Sequence, residues 1–142
     1  SSDLNKVDIT YPDSSAAKFV ALYGFDELFE TLPESVEHLQ FTNKSKENIA
    51  LDVPDSLGRF TNLETILFAN IIRSLPESIG NLKNLKFLSL PNNKELVSLP
   101  ESLASSDSIT FINLRDSNPN IKIPEAVKAR MSDQGEGFYY YD

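Results

Sequence analysis

The chain has 142 residues, 40% of them hydrophobic and 24% charged, the make-up of one globular domain and not of a disordered tail. It has no cysteine and a single histidine, which excludes disulfide frameworks, thiol catalysis and cysteine-type zinc sites. A net charge of −8 argues against nucleic-acid and anionic-membrane partners, and no apolar run approaches the ~20 residues of a spanning helix.

The N-terminus has no signal-peptide shape, and with the absence of cysteine this favours the cytoplasm over an oxidising compartment. A start at Ser1-Ser2, without Met, points to a trimmed chain or to a piece of a longer protein. Residues 1–31 read as a leader and a cap. The polar opening contains one short edge strand, expected over Val7–Thr10. From Phe19 to Phe29 the apolar density rises sharply, through Val20, Leu22, Tyr23, Phe25 and Leu28. With Asp26, Glu27 and Glu30 on its outer side, this stretch suits a terminal cap; the alternative is an eroded first repeat ending at Leu32-Pro33.

Residues 32–131 carry a period. Pro33, Pro54, Pro76, Pro100 and Pro124 each follow an aliphatic residue, in LPES, VPDS, LPES, LPES and IPEA, at steps of 21, 22, 24 and 24 residues. Proline fixes φ where no N–H partner is needed, and the acid after it suits the start of a helical turn. Ile79, Leu82 and Leu85 then recur every third residue, the period of a 3-10-like turn. Three strands align: Leu63-x-x-Ile66-x-Phe68, Leu85-x-x-Leu88-x-Leu90 and Ile109-x-x-Ile112-x-Leu114. Asn93 and Ser117 take a ladder position after the second and third. After Phe68 one residue reads as missing, so that Asn70 sits a place early. Before about residue 53 the pattern is irregular. Leu39-x-Phe41 reads as a strand, followed by the polar loop Lys44–Asn48, whose Asn43-Lys44-Ser45 is a glycosylation sequon that matters only in a secreted chain. Residues 132–142 read as a turn and a capping strand, after a helix over Glu125–Met131. The aromatic run Phe138 to Tyr141 covers the open sheet edge or, alternatively, serves as an exposed tyrosine motif.

The segment Leu85–Asn93 reads L-x-x-L-x-L-x-x-N, and with Leu-Pro-Glu-Ser-Ile-Gly-Asn-Leu-Lys-Asn-Leu before it the chain resembles the leucine-rich repeat superfamily. It looks most like the intracellular Ras-associated and plant-type groups, over about Leu32–Val127. The resemblance implies an α/β fold, a right-handed solenoid of four or five repeats. Its parallel β-sheet would lie on the concave side, its helical or 3-10 turns on the convex side, and protein–protein recognition would be the commonest activity. The irregular period, the loss of Asn in the final copy and the lack of cysteine caps depart from that pattern.

Chemistry has little material here. His38, the one histidine, reads as a surface residue; the five glycines form no phosphate loop, and Asp133–Glu136 lacks calcium-loop spacing. No enzyme activity, cofactor or metal is expected. What remains is the strands' outward residues, in the columns Thr65–Phe87–Phe111, Leu67–Ser89–Asn113 and Ala69–Pro91–Arg115. Phe87, Phe111 and Leu67 form an apolar patch with Asn113 and Arg115 as polar handles, the composition of an interface centre for a protein or peptide. Two alternatives stand: these residues are β-formers tolerated on a shallow surface or covered by the leader, and the chain is a structural or display segment of a larger, cell-surface protein. The oligomeric state is open.

Overall fold

The computed structural model describes residues 5–133 and 137–139, with backbone alone from 132 onward. The fold is α/β, with a mostly parallel β-sheet and few helices. In chain order the elements are β1 (Lys6–Tyr11), α1 (Ser15–Tyr23), α2 (Asp26–Thr31), β2 (His38–Asn43), β3 (Leu51–Asp52), β4 (Thr65–Ala69), β5 (Ile72–Ser74), β6 (Phe87–Ser89), β7 (Phe111–Asn113), α3 (Glu125–Asp133) and β8 (Gly137–Tyr139). Three 3-10 turns, Asp55–Arg59, Glu77–Asn81 and Glu101–Ser105, separate the later strands. Six strands form one sheet in the order β1-β2-β4-β6-β7-β8, every pair parallel. β3 and β5 form a second, two-stranded parallel sheet.

The prolines set the turns. Pro54, Pro76 and Pro100 sit one residue before each 3-10 turn, in extended conformation, and their carbonyls accept the N–H of Leu57, Ile79 and Leu103. Each turn buries its central aliphatic residue, so Leu57, Ile79 and Leu103 stack behind the sheet. The serines of the second and third of these turns then reach the turn before. Ser78 Oγ donates to the Asp55 carbonyl and Ser102 Oγ to the Glu77 carbonyl, both at 2.7 Å. The same serines lie against glycine: a Cβ on Gly58 would come within 2.8 Å of Ser78 Cβ, and one on Gly80 within 2.6 Å of Ser102 Cβ. Glycine is required there for close approach. A parallel column runs through Asn62, Asn84 and Ser108, whose side chains donate to the carbonyls of Glu34, Thr61 and Lys83.

On the strand side of these turns Asn93 is buried and fully engaged. Its Oδ1 accepts the N–H of Ile71 (2.9 Å) and Ile72 (3.1 Å), and its Nδ2 donates to the Phe68 carbonyl (2.8 Å). Ser117 continues the ladder: its hydroxyl accepts the Asn93 N–H and donates to the Leu90 carbonyl. The expected loss of one residue directly after Phe68 is corrected. Asn70, Asn92 and Asp116 all adopt left-handed backbone, at φ 59, 63 and 58°, so Asn70 occupies the same turn position as the other two. Asn and Asp tolerate that region better than other side chains. Buried Ile71 stands where Asn93 and Ser117 stand in the next two copies, its N–H served by Asn93, and the shortening lies after it, before Pro76.

The N-terminal third is built differently. β1 lies at the sheet edge along β2, over Lys6–Tyr11 where a strand over Val7–Thr10 was expected. Ser14 caps α1 by accepting the Ala17 N–H, and Gly24, at φ 91°, ends it. Asp26 and Glu27 fill the first turn of α2, where the helix dipole favours acids. Beneath them lies an aromatic cluster of Phe25, Phe29, Phe41, Phe60 and Phe68, all buried. Phe25 packs edge-on against Phe41 at 4.9 Å between centroids, and Phe29 against Phe60 at 5.5 Å. Arg59 closes this end, donating to the Phe29 carbonyl and lying over the Phe60 ring.

Asn43, read from the sequence as a sequon residue, is buried at the end of β2. Its Nδ2 donates to the Glu47 carbonyl, and its Oδ1 accepts both the N–H and the hydroxyl of Ser45. The sequon is thus folded into the turn that starts the polar loop. At the other end α3 runs to Asp133, two residues past the expected stop at Met131 and into what read as a turn. Its Arg130 donates to the carbonyls of Ser106 and Ile109. β8 pairs with β7 at that sheet edge, as a last strand was expected to do. Tyr140 and Tyr141 of the aromatic run lie outside the described residues.

Candidate functional site: the outward face of the sheet

Alternation decides which residues line this face. In β6 Leu88 is buried, so Phe87 and Ser89 point outward; in β7 Ile112 is buried, leaving Phe111 and Asn113. In β4 the inward residues Ile66 and Phe68 leave Thr65 and Leu67 outward. The register brings Thr65, Phe87 and Phe111 into one row and Leu67, Ser89 and Asn113 into the next. With parallel strands about 4.8 Å apart, the residues of a row stand side by side.

Two strands that the alignment of three left out extend both rows. Lys6 of β1 and His38 of β2 continue the first beyond Thr65; Asp8 and Gln40 continue the second beyond Leu67. The signal was present: with Leu39 and Phe41 inward, His38 and Gln40 must face out. His38 is a half-buried member of this face. Its Nδ1 lies 2.8 Å from Thr65 Oγ1 across the β2–β4 boundary, which fixes the ring against the sheet.

The rows differ in chemistry along their length. Toward β1 they are polar. At β6 and β7 the first row becomes aromatic, with Phe87 47% exposed and Phe111 half-buried beside it. Of the two outward rings, Phe87 is the exposed one and Phe111 is half-buried. In the second row Asn113 Nδ2 donates to Ser89 Oγ at 3.1 Å, and Asn113 Oδ1 accepts the Arg115 N–H at 2.9 Å. This locks the amide beside the ring of Phe111. Arg115 is exposed past the end of β7. Ala69 is buried at 9% and drops out of the third column, whose remaining members are Pro91 and Arg115. The exposed pair Lys86–Glu64, at 3.8 Å, flanks the aromatic end.

Among the described residues no group of three or more His, Asp or Glu side chains could hold a metal ion, and no helix is long and apolar enough to cross a membrane. Every buried side-chain nitrogen and oxygen among them has a hydrogen-bond partner, so the face presents contact area and half-exposed polar groups without a buried unsatisfied hook. No protein-family model matches the chain, and no curated protein matches it.

Proposed function

We propose that the chain is a short leucine-rich-repeat solenoid acting as a non-catalytic module that binds a protein or peptide on the outward, concave face of its sheet. The repeat reading is supported by the proline period together with the Asn93–Ser117 ladder and the stacked 3-10 turns. The binding reading rests on one observation above all: Phe87 is about half exposed in the middle of a parallel sheet, in register with Phe111. A large aromatic side chain held on rigid strands is the kind of anchor that dominates interface energetics. The half-exposed polar groups of Gln40, Ser89 and Asn113 beside it supply orientation through hydrogen bonds.

The test is selection of peptides from a displayed random library against the intact chain. Selected peptides should lose affinity by about 2 kcal/mol or more on the double variant Phe87→Ala, Phe111→Ala. That variant should keep its unfolding midpoint close to the parent's, because the inward side chains of the same strands are untouched. Equal affinity for parent and variant would discard the reading.

A further inference from the structure

A second surface on this molecule has chemistry that folding does not require. α1 satisfies the core with Ala17 and Val20, 2% and 1% exposed, yet its outer side carries Phe19, Leu22 and Tyr23 at 38%, 73% and 66%. A cap was expected to turn a polar side outward, and Asp26, Glu27 and Glu30 do face out; α1 beside them also turns out Phe19, Leu22 and Tyr23. Phe19 and Tyr23, one helical turn apart, hold their ring centroids 4.7 Å from each other, so the ridge they form is already ordered. On one flank of the ridge lies a groove of about 200 Å³ between α1 and α2, lined by Ala16, Phe19, Glu27, Leu28 and Thr31. On the other, a cleft of about 290 Å³ runs beside Leu22 and Tyr23 toward Asp26 and Asp52.

Charge identifies the occupant. Within residues 14–31 the acids are Asp26, Glu27 and Glu30, and the sole base is Lys18. Glu27 lines the groove, Asp26 lines the cleft, and Glu30 is one turn along α2 from both. All three are exposed, and none forms an ion pair with another described residue. The one cation lining the cleft, Arg73, is engaged by both carboxylate oxygens of Asp52. A second copy of this chain would bring the same acidic rim and a net charge of −8, so self-association is opposed. We propose that the α1–α2 surface is a docking site, separate from the sheet face, for an amphipathic helix of a partner with apolar residues on one side and lysine or arginine at its borders. An amphipathic helix laid in an apolar groove meets the ridge with i, i+3/i+4 and i+7 side chains while its borders meet the acids.

The experiment uses the intact chain and two fluorescein-labelled designed helical peptides sharing one leucine face, one bordered by lysine and the other by glutamate, read by anisotropy. The lysine peptide should bind and the glutamate peptide should bind at least about tenfold more weakly. Leu22→Ser with Tyr23→Ser should weaken the lysine peptide by about tenfold or more. Glu27→Gln with Glu30→Gln should weaken it several-fold and flatten its salt dependence. Phe87→Ala should leave this binding unchanged, which separates it from any activity of the sheet face. Both α1 substitutions are at exposed positions, and an unaltered thermal midpoint verifies that the variants fold. Four results would overturn the proposal: no binding of the lysine peptide, equal binding of the two peptides, loss on Phe87→Ala, or a concentration-dependent dimer of the parent chain that Leu22→Ser with Tyr23→Ser abolishes.

Discussion

The two halves of this molecule reach the same parallel sheet by different physics. From Leu75 to Ser117 the core is aliphatic, each turn is nearly a copy of the one before, and neighbouring copies are joined by side-chain-to-backbone bonds from Ser78, Ser102, Asn93 and Ser117. From Phe25 to Phe68 the copies are irregular and the space is filled by five phenylalanines in edge-on and tilted contacts. Regular spacing permits directional bonds, because donor and acceptor recur at the same separation. Where spacing varies, large rings that tolerate several mutual angles substitute for them.

That contrast can be broken at either end. Phe29→Ala should cost about 3–5 kcal/mol in urea unfolding, since its buried ring touches both Phe25 and Phe60 and the cavity has rigid walls. A loss below one kcal/mol would mean that the aromatic cluster is not the mainstay of its half. On the regular side Asn93→Ala should cost about 3 kcal/mol, by stranding the N–H groups of Ile71 and Ile72 and the Phe68 carbonyl. Hydrogen exchange should report it locally, with faster exchange at Ile71 and Ile72 and little change in α1.

Gly80→Ala sharpens the comparison further. Its methyl would meet Ser102 Cβ and the Ser102 carbonyl, so destabilisation of about 1–3 kcal/mol is expected despite alanine's better helix propensity. Stabilisation by this substitution would show that the turns have slack. The smallest effect concerns the exposed junction between β3 and β5. Asp52 is held at a pKa of about 2, first by the hydrogen bonds of Arg73 and then by that of Ser74. A depressed carboxyl pKa means that the pair's contribution is present above the unfolded value near 3.8 and is lost as pH falls toward 2. Solvent screening keeps that contribution small. Arg73→Ala should move the carboxyl carbon titration of Asp52 up toward 3.8 in NMR, with no measurable change in unfolding midpoint at neutral pH.

Much of this was legible in the residue order. The proline marks gave the turn positions, and the three Leu-x-x-Leu-x-Leu strands gave the register of Thr65, Phe87 and Phe111, because period-2 alternation leaves no freedom once one residue is assigned inward. The placement of His38 and Gln40 followed from the same rule but was obscured by the weak pattern around them. Asn70 misled because asparagine serves two turn positions, the left-handed one it occupies and the ladder one that Asn93 occupies. The exposure of Leu22 and Tyr23 was not legible at all. Apolar residues signal burial against something, and a single sequence does not say whether that something is the chain itself.

The contact between Gly80 and Ser102 also bears on how a chain of this kind lengthens. The first two 3-10 turns each offer a glycine-made hollow that the successor's serine fills, Gly58 to Ser78 and Gly80 to Ser102, while the third carries Ala104 at that position. A duplicated stretch spliced between any two such turns would find, on both sides, the neighbours its parent stretch already fits. An in-frame duplication of that stretch would bring its own glycine and serine with it. The phenylalanine cluster has no such repeated joint: Phe25 packs on Phe29, Phe41 and Phe68, and Phe29 also on Phe60. A copy of a Gly-Ser turn carries its own joint with it, whereas a copy of any one phenylalanine leaves the rest of its cluster behind.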